Sequence, residues 1–157
     1  METKIDALIA KMEQSRTRLN TALDKVTPQA EIYPSWKLKQ VLDHITGWDE
    51  LVISSLRAYQ RGETPARSVN TIDQYNAGSV ADRRALTLEE SRQAFKSIRQ
   101  EVIHNLQELP PDMLTQRFKA PWGGLCTISS IVKIFVSHEQ EHAKQIEEIL
   151  EKPITDH

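Results

Sequence analysis

Basic excess, long apolar runs, paired cysteines and strand-like alternation are all missing from this chain. The 20 Lys and Arg are outnumbered by 22 Asp and Glu, giving a formal charge of −2 over 157 residues. The cations are also scattered rather than blocked, so there is no basic field for a phosphate backbone and no nucleic-acid partner is expected. No apolar run approaches the roughly 20 residues of a membrane span, and the opening METKIDALIAKMEQ is amphipathic and charged rather than signal-like. The expected setting is therefore the cytoplasm, with no membrane partner. Cysteine occurs once, at Cys126, so no intrachain disulfide can form, which suits a reducing compartment. A lone thiol of this kind reads as a small buried hydrophobe.

What is present is helical periodicity. Ile5, Leu8, Ile9, Met12, Leu19, Leu23 and Val26 recur largely at spacings of three and four and predict a helix that ends near Pro28. After the turn-like EIYPS, the series from Trp36 through Val41, Ile45, Trp48 and Val52 to Leu56 predicts a second helix, which fades at RGETPAR. Residues 63 to 86 hold no sustained period and read as a long crossover, with room for one short helix at TIDQYNAGSVADRRA. Thr87 and Glu90 form a capping box for a third long helix, carrying Phe95, Ile98, Val102 and Leu106 to the stop at Pro110 and Pro111. After a loop containing APWGG, Thr127 caps a fourth that runs to Pro153. No internal repeat or low-complexity tract interrupts the chain. The expectation is an all-α four-helix bundle, one domain over residues 1–157, with a long crossover between helices two and three.

The segment HEQEH, residues 138 to 142, matches the H-E-x-x-H signature of zinc proteases. At about 100° per residue, His138 and His142 lie roughly 40° apart on the arc of Ile131, Phe135 and Ile149, so both imidazoles face the core. With no carboxylate in that stripe, two buried imidazoles would be poorly satisfied, at about 1–3 kcal/mol each. A shared metal ion removes that cost. His44, on the apolar arc of the second helix beside Val41, Trp48 and Leu51, is the natural third ligand. A single histidine on a buried face is usually a core residue with a hydrogen-bond partner; a pair one turn apart plus a third on another helix favours a divalent transition metal, zinc or nickel first. His104 and His157 read as solvated.

The protease reading fails on context. The extended zinc-protease motif needs a glycine and a histidine where this chain has Gln145 and Glu148, and only 15 residues follow His142. Three stretches instead carry a resemblance: SWKLKQVLDHITGWDELV, IDQYNAGSVADRRALTLEE and TISSIVKIFVSHEQEHAKQIEEI. Together they cover nearly the whole chain, which resembles the DinB-like superfamily of metal-binding four-helix bundles. That group includes bacillithiol- and mycothiol-dependent transferase relatives and ClbS/DfsB-type proteins. The resemblance implies metal ligands at His44, His138 and His142, in agreement with the facing argument, and it implies a homodimer. The middle stretch is more similar to the DfsB-type branch, many of whose relatives lack the full triad that this sequence keeps.

Three neutral ligands leave a divalent ion its full charge, enough to bring a bound water to a pKa of about 7 or to bind a thiolate. The resemblance favours the thiolate: a low-molecular-weight thiol would attack an electrophilic toxin or antibiotic to give an S-conjugate. A small-molecule hydrolase is the variant that uses hydroxide. Glu139 is the candidate catalytic base or a group that orients a ligand histidine, against a helix glutamate that reaches outward or pairs with a lysine. Asp49 and Gln145 lie at the margins of the site, as ligand-orienting groups or boundary packing. Trp48 and Trp122 are candidate cavity walls or core residues, Tyr75 and Asn76 are pocket contacts or turn residues, and Gly47 marks close helix approach or room beside His44. A different class of function also fits: a resistance protein that sequesters a small molecule without turnover and carries a structural metal.

Overall fold

The computed structural model describes residues 3–65 and 71–152. Four long helices form the bundle: α1 (Lys4–Leu23), α2 (Leu38–Gln60), α4 (Leu88–Gln107) and α5 (Ile128–Glu151), with the short α3 (Ile72–Asp82) on the crossover between α2 and α4. The fold is all-α, as the periodicity predicts. Thr3 caps α1 in a reciprocal box with Asp6, Thr87 and Glu90 do the same for α4, and Thr127 opens α5 with Ser130. Each box satisfies two of the backbone N–H groups that a helix start leaves free.

Two details depart from the sequence reading. Trp36 is not in α2: Ile32 and Tyr33 donate backbone hydrogen bonds to its carbonyl, closing a tight loop with Ser35 at φ 69°. Between α4 and α5, a 3-10 turn (Pro111–Thr115) leads into a two-residue hairpin, β1 (Phe118–Lys119) against β2 (Leu125–Cys126), which turns through Gly123 and Gly124 at positive φ. Strands this short carry no alternation to read. The hairpin is held to the bundle by Tyr59, whose ring stacks on Phe118 at 4.3 Å and whose hydroxyl donates to the Lys119 carbonyl. Cys126 is half-buried against the core, 3.6 Å from the Tyr59 oxygen.

The bundle holds two main apolar cores rather than one. The first gathers Leu8, Met12, Leu56, Val102, Leu106 and Ile128, and the second gathers Leu19, Leu38, Val41, Phe95, Ala143 and Ile146. Between them lies a layer of buried polar groups, described below.

α3 lies on α2 at Gly47. A methyl group built there would stand 2.3 Å from Ser79 Oγ and 2.6 Å from its Cβ, so of the two readings of this glycine, close helix approach is the one realised. Tyr75 Oη donates to the Gly47 carbonyl at 2.7 Å and fixes the same contact. In an unobstructed helix, alanine would gain about 1 kcal/mol over glycine. Here Gly47→Ala is expected to lower stability by about 1–3 kcal/mol through overpacking, read as a fall in Tm. Adding Ser79→Gly restores much of the loss.

Candidate metal centre

α2 and α5 bring three imidazoles together at one flank of the second core. His44 Nε2 lies 3.1 Å from His142 Nε2, which lies 3.1 Å from His138 Nε2, and the candidate ligand atoms all fall within 4.8 Å of one another. Nitrogens bound to one ion at about 2.0–2.1 Å stand roughly 3.0–3.4 Å apart, so the two 3.1 Å separations from His142 fit a shared cation. His44 and His142 are buried, whereas His138 is exposed at the mouth, a difference from the expectation that both α5 rings face inward.

The tautomer of His142 follows from its neighbours. The Ile32–Trp36 loop presents Tyr33 Oη 2.8 Å from His142 Nδ1 and 2.7 Å from Gln145 Oε1. The Gln145 amide is oriented by Glu141, since its Nε2 donates to that carboxylate at 3.3 Å. The Tyr33 hydroxyl must therefore donate to Gln145 Oε1, leaving its oxygen to accept from His142 Nδ1–H. The Nε2 lone pair of His142 is thus free and aimed at the cluster, as a metal ligand requires. Trp36 covers His44 from the other side, ring centroids 5.0 Å apart.

Burial, and then the mutual presence of the other rings, hold His44 down to about 3 and His142 to about 4. Burial lowers His138 too, against the opposing pull of Glu139 and Glu141. The rings are neutral and ligand-competent at neutral pH. Burial, followed by the Glu141 charge, pushes Tyr33 up to about 12, so its proton stays in place.

Glu139 sits elsewhere. It lies in the polar layer between the two cores, where it accepts from Arg99 Nη2 (2.7 Å), Arg99 Nη1 (3.1 Å), Arg16 Nε (3.1 Å) and Ser15 Oγ (2.6 Å). Asp49 accepts from the same two guanidiniums at 3.0–3.2 Å, and Arg16 also stacks 3.8 Å over Phe95. Burial opposes ionisation of Glu139, but Arg99 and Arg16 together outweigh it and hold the carboxyl below its usual range. A carboxylate so engaged has little basicity to offer, so the geometry corrects the readings of Glu139: it is neither base nor outward-facing, and its partners are Ser15 and two arginines rather than a histidine or a lysine. Asp49 likewise serves this cluster. The sequence reading missed Arg16 and Arg99. The available signal was their position on apolar stripes, Arg16 between Met12 and Leu19 and Arg99 between Phe95 and Val102. His104 is exposed beside Glu108 as expected, and His157 lies outside the described residues.

The imidazoles open into a cavity of about 290 Å³ that is also lined by Tyr33, Trp36 and Asn76. A second cavity of about 400 Å³, walled by Trp48, Trp122, Phe135 and Ile134, shares Asn76 and His138 with the first. Trp48 and Trp122 therefore wall a pocket, and Asn76 sits at the junction.

A family model described as the DinB superfamily matches residues 11–146. The chain belongs to the DinB superfamily. No curated protein sequence matches the chain. Among solved structures it is similar to the colibactin self-resistance protein ClbS in complex with double-stranded DNA (TM-score 0.79, 16% identity, 95% of this chain and 96% of that one). It is also similar to an uncharacterised protein from Escherichia coli UTI89 (0.75, 15%, 94% and 92%). A third is the mycothiol-dependent maleylpyruvate isomerase (0.74, 12%, 93%), of whose length this chain covers 63%. At these identities the likeness is one of fold.

The first of these overturns one expectation. A protein of the same fold is crystallised on DNA, so the exclusion of a nucleic-acid partner does not hold. The physical reason is that net charge says little about local fields: at one groove between α1 and α4 the exposed charges are Arg92 and Lys96 with Asp24. Among the described residues no helix is long and apolar enough to cross a membrane.

Two outcomes follow. Glu139→Gln leaves two buried guanidiniums short of a counter-charge and is expected to cost about 3–5 kcal/mol of stability, measured by urea unfolding. For the histidines, folded pKa values below the unfolded 6.5 mean that between about pH 6.5 and 3 the unfolded chain binds protons that the folded chain does not. Stability of chelator-treated protein is therefore complete above that window and falls with pH through it, and the fall is shallower in His44→Gln, as read from Tm against pH.

Proposed function

We propose that His44, His138 and His142 hold a divalent transition metal, zinc or nickel, and that the protein joins a low-molecular-weight thiol to an electrophilic small molecule. The observation that carries this reading is the convergence of three Nε2 atoms on an opening that adjoins an apolar cavity. When bound, the ion supplies a Lewis-acid charge that favours thiolate over thiol at neutral pH. The chain's own residues do the rest. Neutral imidazoles leave that charge uncancelled, and the Tyr33–Gln145–Glu141 chain keeps the His142 lone pair directed inward. Trp48, Trp122 and Phe135 exclude water from the electrophile. The sulfur lone pair forms the new S–C bond, the displaced electron pair moves to the electrophile's acceptor atom or leaving group, and the thiol's proton balances it. Glu139 has no part in this chemistry. A hydrolase would use the same opening with water as nucleophile.

A second reading, sequestration of a toxin without turnover, is favoured by the aromatic walls of the larger cavity and by likeness to a self-resistance protein. A cytoplasmic setting and a homodimer complete the proposal, the latter on family resemblance.

Elemental analysis of purified protein is expected to find one transition-metal ion per chain, lost in a folded His44→Ala variant. Calorimetric titration with bacillithiol or mycothiol is expected to show binding to metal-loaded protein alone. Conjugation of 1-chloro-2,4-dinitrobenzene should fall in His44→Ala by more than the about 10–100-fold typical of losing a group that merely orients a ligand. Wild-type protein unable to take up any transition metal would end the proposal, and stoichiometric binding of electrophile without product would turn it to sequestration.

A further inference from the structure

Resting on the reading of the opening as the reaction site, we infer that the larger cavity selects a neutral, ring-bearing apolar molecule with a carbonyl, and that Asn76 Nδ2 donates a hydrogen bond to that carbonyl. The amide's orientation is determined by its neighbour. An indole N–H can only donate, and Trp48 Nε1 lies 2.6 Å from Asn76 Oδ1, so the oxygen of Asn76 is committed to Trp48. Beyond the indole, the amide's other partner among the described residues is the His44 ring, whose N–H is accepted by the amide oxygen, so the NH2 occupies the branch turned away from both. The side chain lines both cavities, so that NH2 stands where the apolar space meets the imidazoles.

The position is rigid. Asn76 is carried on α3, which is pinned to α2 by the Gly47–Ser79 contact and by the Tyr75 hydroxyl on the Gly47 carbonyl. The Tyr75 ring packs 4.6 Å from Trp48, and Trp48 packs 5.8 Å from Phe135. These walls offer aromatic faces and no charged side chain, which disfavours an ionised ligand. A volume of about 400 Å³ is at the small end for organic ligands and suits a fused pair of rings. The same hydrogen bond deepens the chemistry above. When sulfur adds to a carbon conjugated with a carbonyl, the electron pair ends on the carbonyl oxygen, and a fixed N–H aimed at that oxygen stabilises the charge as it grows.

The test uses full-length protein treated with chelator and two unreactive probes, 1-tetralone and its carbonyl-free counterpart tetralin, with binding read by tryptophan fluorescence. Wild type is expected to prefer the ketone about five-fold, the worth of one ordinary hydrogen bond. Asn76→Asp and Asn76→Leu are each expected to bring the ratio to about one while tetralin binding persists. If Asn76 only braces Trp48, the aspartate, which still accepts the indole N–H, keeps the preference, and the inference is overturned. Wild-type protein that binds neither probe overturns it as well. In nitrogen-labelled wild type, the Asn76 side-chain amide signals should shift with tetralone and not with tetralin, a readout independent of any variant's folding; unmoved signals count against the inference. Because no metal is present, failure of the metal reading and failure of this one are separate results.

Discussion

Four buried charges, one from each long helix, hold the bundle in register. Arg16 of α1, Asp49 of α2, Arg99 of α4 and Glu139 of α5 form a neutral cluster with 3.0–3.2 Å contacts to Asp49 and 2.7–3.1 Å contacts to Glu139. Apolar packing alone tolerates sliding, because one leucine replaces another at little cost. Charges are less forgiving, since a displaced helix would leave an ion buried without its partner, at a cost of several kcal/mol. The cluster also sits between two apolar cores, so a shift of one helix would disturb both.

The histidine site inherits its precision from that layer. Glu139 follows His138 directly in α5, and Asp49 lies little more than one turn beyond His44 in α2. Once both carboxylates are clamped on the same two guanidiniums, the neighbouring turns of α2 and α5 are set at a fixed height, and their imidazoles meet. The fold is shared with unlike proteins, one a self-resistance protein on DNA and another a mycothiol-dependent isomerase. The bundle is therefore a scaffold, and function must be argued from the opening and the cavity beside it. Here those are three neutral imidazoles, a tyrosine that fixes one of them, and an aromatic chamber reached past Asn76.

Much of this was legible beforehand. The helices could be read because apolar spacing repeats over several turns and capping residues stand at their starts, as at Thr87 and Thr127. The three histidines could be read because two share an arc in one helix and the third falls on the apolar arc of another. Arg16 and Arg99 were harder, since a charged residue on an apolar stripe shows its meaning only when its counter-charges are known, and these come from α2 and α5. Glu139 was misread for the same reason: beside two ligand-like histidines a glutamate suggests a base, until two guanidiniums are found around it. Tyr33 gave no periodic signal and Trp36 fell by chance into the period of the second helix, because both act from a turn.

The sequence by itself determined the all-α class, the positions of the long helices and the set of imidazoles able to meet, because these depend on local spacing and on the chemistry of single residues. Only the tertiary structure decided which carboxylates face cations, which nitrogen of His142 bears the proton, and that Asn76 stands between two cavities. Those outcomes depend on partners from 28 to 123 residues away in the chain, and no periodicity within one helix encodes them.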